Sequence, residues 1–167
     1  MKSSIKTTAD LKKELNKLGV KTYRHKATGK SYVKRSDVKK IIAEKVSDEM
    51  LNRYIESMLW SSTGDNDEPL DKNYSEDDLS EEAKAQAKKD LEAFVKKAGD
   101  LIADLDEPEV AHDFWLTRNG HGAGFWDRDY DDEVDPEGTL GDDLTKIAKS
   151  FGEQHPYVGD DGLIYLG

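Results

Sequence analysis

The sequence predicts an α+β protein, helix-dominated, in which a small basic module precedes a larger acidic domain. Three observations support this fold class. Apolar residues recur at intervals of three and four, β-prone segments flank glycine-containing turns, and the charge changes sign along the chain. Residues 1–46 contain 14 Lys and Arg against 4 Asp and Glu, whereas residues 47–167 contain 11 against 32. We therefore expect a basic helix-hairpin-helix module over residues 1–46 and an acidic, mainly helical domain over residues 47–167.

The composition excludes several classes of protein. The 167 residues are 35% hydrophobic and 37% charged, yet they include three Trp, seven Tyr and four Phe, which are enough to build a core. The absence of cysteine excludes disulfides, a thiol nucleophile and cysteine-based metal centres. We expect a soluble cytoplasmic protein that spans no membrane and uses no cofactor and no metal.

The basic module is predicted to contain two helices with a hairpin between them. Leucines spaced by three and four indicate a helix that ends near Leu18, where Gly19 provides a left-handed cap. Two β-prone segments, residues 20–25 and 31–35, flank a turn, and Ser36 caps the second helix. A turn centred on residues 28 and 29 would place His25 opposite Tyr32 and Tyr23 opposite Lys34.

The predicted hairpin carries basic and aromatic side chains on one face, which suits phosphate contacts combined with base stacking. The residues predicted to bind DNA or RNA are Lys21, Tyr23, Arg24, His25, Tyr32, Lys34 and Arg35. Two alternatives stay open. The tyrosines are equally consistent with a buried face that has lysines around it, and the module with a packing appendage or a protein-docking element.

The acidic domain is predicted to contain four helices and a terminal hairpin. The helices are expected from Ser47 to about Trp60, from Ser80 to Ala98 or Leu105, from Pro108 to Asn119, and over residues 141–151. Between the first two helices lies a polar, acidic loop, residues 61–73, which is expected to be mobile or to attract cations. Residues 157–158 and 163–165 flank a Gly-Asp-Asp-Gly turn and predict the hairpin.

Residues 112–128, HDFWLTRNGHGAGFWDR, form a segment of unusual composition that we call the motif segment. It holds two Trp, two Phe, two His, two Arg and three Gly. The glycines allow the backbone to approach a ligand closely or to adopt positive φ. The residues predicted to bind a ligand or partner are Trp115, Arg118, Asn119, His121 and Trp126. The alternative is a tight turn whose aromatic side chains fill the core.

Catalysis is the weaker hypothesis for the motif segment, and we expect no catalytic residues. The chain has no dinucleotide fingerprint, P-loop, nucleophile elbow or His-Glu-x-x-His motif. The candidates for acid–base chemistry are His112, His121 and Asp127, with Asp127 as a partner for either histidine and Arg118 as an anion clamp. Acidic residues 127–138 resemble a calcium loop only in part, because they lack its glycine and its terminal glutamate.

The motif segment and the terminal YVGDDGLIY resemble a family of small, uncharacterised proteins encoded by tailed bacteriophages. The resemblance extends from Leu59 to Tyr165 and excludes the basic module. It implies a phage origin and a setting in the host cytoplasm, but no mechanism. The loop over residues 129–138 is longer and more acidic than the family leads us to expect.

Three functions are consistent with these observations. The first is a phage-encoded, non-enzymatic accessory protein whose acidic domain binds a host or phage protein and whose basic module contacts nucleic acid. The second is an acidic DNA mimic that occupies the nucleic-acid-binding cleft of a host defence or transcription protein. The third is a small hydrolase or nuclease-like enzyme that uses the segment from His112 to Asp127.

Overall fold

The computed structural model describes residues 21–34 and 46–167. The two predicted helices of the basic module and Arg35 lie outside the described residues. Within the described part of the chain, four α-helices and a small C-terminal sheet follow the basic hairpin. The prediction of a helix-dominated protein with a C-terminal β-hairpin is thus confirmed. None of the helices in residues 21–34 and 46–167 is long and apolar enough to cross a bilayer.

The basic hairpin pairs β1 (Tyr23–Arg24) with β2 (Ser31–Tyr32) in an antiparallel register, with Tyr23 opposite Tyr32. The predicted register, with Tyr23 opposite Lys34, is wrong by two residues. Gly29, with φ of 67°, occupies the end of the turn instead of its centre, and the His25 and Lys30 backbones close the loop at 2.9 Å. A shift of two residues keeps the same side chains on the same face.

Each of the four helices begins within a residue of its predicted start. They are α1 (Asp48–Ser61), α2 (Glu81–Ala98), α3 (Glu107–Arg118) and α4 (Leu140–Lys149). Side chains of Ser47 and Ser80 accept hydrogen bonds from backbone N–H groups in the first turns of α1 and α2, and Asp106 does the same for α3. The predicted helix bounds agree with these elements to within a few residues.

Helix α3 occupies the centre of the acidic domain. It packs against α1 and α4, and eight of its residues are buried, from Val110 to Arg118. Its Phe114 ring stacks on Phe94 of α2 at 4.2 Å and lies 5.5 Å from Tyr54 of α1. These aromatic contacts join three helices around one core, where offset ring pairs add to the stabilisation from area burial.

The chain ends in a hairpin of β3 (Pro156–Val158) and β4 (Ile164–Leu166), with Tyr157 opposite Tyr165. Gly162 adopts φ of 80° in the turn, as the predicted hairpin requires. The buried Ile164 also bridges to Leu79 ahead of α2, and its carbonyl oxygen accepts from the Ser80 N–H at 2.9 Å. These contacts attach the hairpin to the helical core.

Two segments are defined more closely by the structure than by the sequence. The polar loop over residues 61–73 carries an antiparallel bridge between Thr63 and Pro69, and it buries Leu70 to 2% exposure. Leu70 belongs to the hydrophobic core. The free energy gained by burying its apolar side chain holds the loop against the helices, although the neighbouring residues are polar. Helix α2 ends at Ala98, the earlier of its two predicted ends, and the chain continues as a 3-10 turn in which Leu101 is 37% exposed.

Candidate functional site

Arg118 of the motif segment lies inside the protein. It is 5% exposed, although the sequence predicts a ligand contact at this position. Its guanidinium donates hydrogen bonds at 2.8–3.3 Å to the carbonyl oxygens of Phe151 and Gly152, the Tyr54 hydroxyl, the Asp90 carboxylate and the Gln154 amide oxygen. A planar fork of N–H groups suits such a set of acceptors. The structure therefore places Arg118 as an internal support that joins four parts of the chain.

The Arg118 environment also affects the phenol of Tyr54. Burial raises the pKa of Tyr54 well above its usual range, and the neighbouring guanidinium of Arg118 opposes that rise in part. The Asp90 carboxylate, 2.8 Å from the guanidinium, balances the buried positive charge. The three side chains are joined by hydrogen bonds. The Arg118 guanidinium is therefore occupied by internal partners and has little capacity left to bind an external anion.

A pocket of about 290 Å³ adjoins Arg118, and we call it the Trp115 pocket. Three of the five predicted ligand-binding residues line it. Its lining comes from the end of α1 and the loop after it, from α3 and its C-terminal turn, and from the start of the terminal hairpin: Ser61, Ser62, Thr63, Trp115, Asn119, His121, Gln154, His155 and Pro156. The folded chain thus brings together polar side chains that are up to 94 positions apart in sequence.

Part of the pocket wall is fixed by internal hydrogen bonds. Trp115 has no exposed surface and supports the pocket from beneath, where its Nε1 donates to the Ser61 hydroxyl at 2.8 Å. The Asn119 side chain donates to the Trp115 carbonyl oxygen at 3.0 Å and accepts from the Gln154 N–H at 2.8 Å. Since both amide atoms of Asn119 are occupied, this residue shapes the pocket more than it offers contacts.

The glycine-rich part of the motif segment positions His121 at the pocket. Gly120 adopts φ of 67°, and the His121 N–H then donates to the Leu116 carbonyl oxygen at 3.0 Å. Gly124 has φ of 153°, and a Cβ at this position would clash with the Thr117 side chain. Glycine is required there because the backbone lies directly against α3.

His112 lies in a different environment from His121. Its Nδ1 is 3.0 Å from the Asp113 carboxylate, and its ring stacks on Trp60 with centroids 6.0 Å apart. Asp113 is buried and accepts two hydrogen bonds from Arg128, at 2.7 and 2.9 Å. The partner of His112 is therefore Asp113, and the expectation that Asp127 would partner this histidine is wrong.

The candidate catalytic residues do not share one pocket. Of His112, His121 and Asp127, only His121 lines the Trp115 pocket, and Asp127 is exposed in a short turn. Trp126, the remaining predicted binding residue, is 51% exposed and does not line that pocket either. The motif segment therefore presents separate features instead of one catalytic centre.

A second pocket, of about 210 Å³, contains two acids of the partial calcium-loop match, Asp129 and Asp131. It is lined by Asp104, Asp106, Glu109, Asp113, Asp129 and Asp131, with Arg128 and Tyr130. Burial and the nearby Asp113 charge raise the pKa of Tyr130 to about 12. Asp131 accepts from the backbone of the turn that follows it, so this acid serves local structure. Across residues 21–34 and 46–167, no three His, Asp or Glu side chains are grouped to hold a metal ion.

The basic hairpin brings four predicted nucleic-acid-binding side chains into contact: Tyr23, His25, Tyr32 and Lys34, which we call the hairpin cluster. The two tyrosine rings stack at 5.7 Å with a 26° interplanar angle, and Lys34 Nζ lies 4.7 Å from the Tyr23 centroid. The His25 ring meets Tyr32 edge-on at 6.4 Å. Tyr32 is 46% exposed, so its ring is accessible to a ligand.

Two further predicted residues flank the hairpin cluster. Lys21 is exposed, and Arg24 is exposed with its Nε donating to the Gly29 carbonyl oxygen at 3.1 Å. Lys21 and Lys34 therefore add positive charge next to the strands that carry the aromatic pair, and Arg24 adds it on the opposite face of the hairpin.

Several residues that define these sites were not predicted from the sequence. Gln154, Ser62 and Thr63 line the Trp115 pocket, and Asp90 and Tyr54 hold Arg118. No pattern in the sequence indicates that Tyr54 meets Arg118. The polar residues carry no signal, because their roles depend on contacts between distant segments.

A comparison with protein-family models, with curated proteins and with solved structures finds no match to this chain.

Proposed function

We propose that this chain is a phage-encoded, non-enzymatic accessory protein that contacts nucleic acid through the hairpin cluster and binds a host or phage protein through its acidic domain. The observation that carries the nucleic-acid part is the exposed ring of Tyr32, which stacks on the partly buried Tyr23 with Lys34 beside it. Stacked aromatic rings offer surfaces on which bases stack, and nearby cations contact phosphates. Residues 1–46, with 14 Lys and Arg, supply the long-range attraction.

The acidic domain supports the protein-binding part through two exposed tryptophans. Trp60 is 44% exposed and Trp126 is 51% exposed. Tryptophan is enriched at the energetically important centres of protein interfaces, so exposed indole rings favour a binding role. Strong negative charge on the same domain would repel nucleic acid and leave that contact to the basic module.

Binding of the full chain to short single- and double-stranded DNA and RNA across a salt series tests the nucleic-acid part. We expect affinity to fall with salt, with a logarithmic slope of about one per phosphate neutralised. Tyr32→Ala should lower affinity by about 5- to 150-fold, because one stacked base is lost. Lys34→Ala should reduce the salt slope by about one.

The matched control is Tyr157→Ala, which removes a tyrosine of the acidic domain that is 54% exposed. This variant should bind nucleic acid as the wild type does. If the wild-type chain binds no oligonucleotide at low salt, or if Tyr32→Ala binds as tightly as wild type, the nucleic-acid part is overturned. Capture of a DNA-binding host protein by a chain that binds no oligonucleotide would instead favour the DNA-mimic alternative.

The protein-binding part is tested by capture from bacterial lysate with wild type and with the double variant Trp60→Ala, Trp126→Ala. A partner retained by wild type and lost from the variant at the same salt concentration is the expected result. Retention of the same partner by both chains would remove the exposed tryptophans from the interface.

A further inference from the structure

Gln154 carries an observation that points to a ligand in the Trp115 pocket. It lies between α4 and β3, lines the pocket and is only 9% exposed. Its Oε1 accepts a hydrogen bond from Arg118 Nη1 at 3.3 Å, and its backbone N–H donates to Asn119 at 2.8 Å. Both contacts hold the residue in place.

The hydrogen bond from Arg118 determines which end of the Gln154 amide remains available. Arginine only donates, so it binds the amide oxygen and leaves the Nε2 group to point elsewhere. Among the described residues none accepts a hydrogen bond from Nε2, and this atom is not one of the side-chain polar atoms sealed from solvent. Because Gln154 lines the Trp115 pocket, the unpartnered donor is available to a molecule that enters it.

Other groups around the pocket can join this donor. The hydroxyls of Ser62 and Thr63 and the imidazole of His121 line the pocket, and none of these three side chains has a hydrogen-bond partner within the described part of the chain. No Asp or Glu lines it, whereas six acidic residues line the second pocket. The pocket therefore favours a ligand rich in acceptor oxygens and does not repel a negative one at close range.

The size of the pocket limits the ligand. Its volume of about 290 Å³ lies at the lower end of sites for small molecules, which start at about 300 Å³. A ligand of this size has few non-hydrogen atoms and must gain most of its specificity from one or two directed hydrogen bonds.

We propose that the Trp115 pocket binds a small molecule through a carboxylate or carboxamide oxygen that accepts a hydrogen bond from Gln154 Nε2. Arg118 is a positioning residue in this site, since it fixes the orientation of the amide without touching the ligand. The hydroxyls of Ser62 and Thr63 and the His121 ring provide the remaining donors. This site is independent of the hairpin cluster and goes beyond the proposed function.

Three probes of matched size test the proposal on the full-length, ¹⁵N-labelled chain: propionate, propionamide and propylammonium. NMR spectra follow the side-chain NH₂ signals of Gln154 and the indole N–H of Trp115. We expect propionate or propionamide to shift the Gln154 signals in a saturable way, with a dissociation constant in the millimolar range typical of ligands this small. The stronger of the two identifies the carboxylate or the carboxamide as the preferred group. Propylammonium, which has no acceptor, should leave the signals unchanged.

Gln154→Glu sharpens the test, because a carboxylate can still accept from Arg118 while its second oxygen replaces the Nε2 donor. We expect this variant to bind the preferred acceptor probe at least tenfold more weakly and to gain affinity for propylammonium. Asn52→Asp, the same chemical change at an exposed position of α1, is the matched control and should bind like wild type. Equal shifts with all three probes, no shift at Gln154 with either acceptor probe, or an unchanged affinity of Gln154→Glu for the preferred acceptor probe would overturn the proposal.

Discussion

The two halves of the motif segment contain the same residue types in opposite environments. In the helical half, residues 112–118, Trp115 has no exposed surface and Arg118 is 5% exposed. In the glycine-rich half, residues 119–128, Trp126 is 51% exposed and the Arg128 side chain is 36% exposed. The comparison teaches that a dense cluster of Trp, Arg and His does not by itself mark a surface site, since half of this cluster builds the core.

The reason for the difference lies in what surrounds each half. Helix α3 has neighbours on several sides, so residues on more than one face become buried, including polar ones that find internal partners. The glycine-rich half leaves the helix at Gly120 and returns along α3 to the Thr117 side chain, which accepts from the Phe125 N–H at 3.1 Å. Only one side of this half faces the core.

The largest expected effect is the loss of Arg118. Arg118→Ala leaves Asp90 and the Tyr54 hydroxyl without their shared donor inside the protein, and we expect the free energy of unfolding to fall by about 3–5 kcal/mol. Arg128→Ala also removes a carboxylate partner, that of Asp113, but solvent reaches this site, and a loss of about 1–2 kcal/mol is expected. Urea unfolding of both variants measures the difference, and equal losses would contradict the contrast between the two halves.

A smaller effect is expected from glycine substitutions in the exposed half. Gly124→Ala forces a side chain into φ of 153° and against Thr117, at an expected cost of about 3 kcal/mol. Gly122→Ala is the control, because a Cβ there meets nothing within 4 Å and its φ is not positive. It should change the free energy of unfolding by less than about 0.5 kcal/mol. A large loss for Gly122→Ala would mean that the whole glycine-rich half is tightly packed.

This contrast shows how far sequence analysis reaches. The helices were predictable because their caps and apolar spacing are local signals, as with Ser47, Ser80 and the Pro108 start of α3. The register of the basic hairpin was wrong because the glycine that marks a turn does not fix its position within the turn. The pocket was predictable in part: Trp115, Asn119 and His121 line it.

The remaining site residues could not be predicted from local patterns. Gln154 meets Arg118 across 36 positions, and the periodicity of either segment says nothing about that distance in space. The side chain of Arg118 looked available because arginine is mostly exposed, and its burial depends on acceptors that other segments supply. No sequence pattern predicts the contact between Arg128 and Asp113 either, although the two residues are only 15 positions apart.

The next effect in size separates the two tryptophans. Trp115→Phe removes buried volume and the hydrogen bond to Ser61, and we expect a loss of about 2 kcal/mol in the free energy of unfolding. Trp126→Phe changes an exposed ring and should stay within about 0.5 kcal/mol. Urea unfolding followed by far-UV circular dichroism avoids a signal that depends on tryptophan itself. Similar losses in both variants would show that Trp126 is packed more firmly than its exposure indicates.

The smallest effect concerns alkaline pH and the pocket beside Arg128. The pKa of Tyr130 is raised to about 12 by burial and by the Asp113 charge, whereas an unfolded tyrosine ionises near pH 10. Between these values the unfolded state binds fewer protons than the native state, so the free energy of unfolding falls as pH rises. The contribution of the raised Tyr130 pKa to the free energy of unfolding is complete below about pH 10 and lost by about pH 12. Because Tyr130 is half-exposed and solvent screens its neighbours, we expect it to contribute less than about 1 kcal/mol. Urea unfolding between about pH 10 and pH 12 checks this prediction. The free energy of unfolding should decline slightly less with pH in Tyr130→Phe than in wild type, whereas Tyr157→Phe should decline as wild type does. If both variants decline like the wild type, the alkaline loss arises elsewhere, with the buried phenol of Tyr54 beside Arg118 as the next group to test.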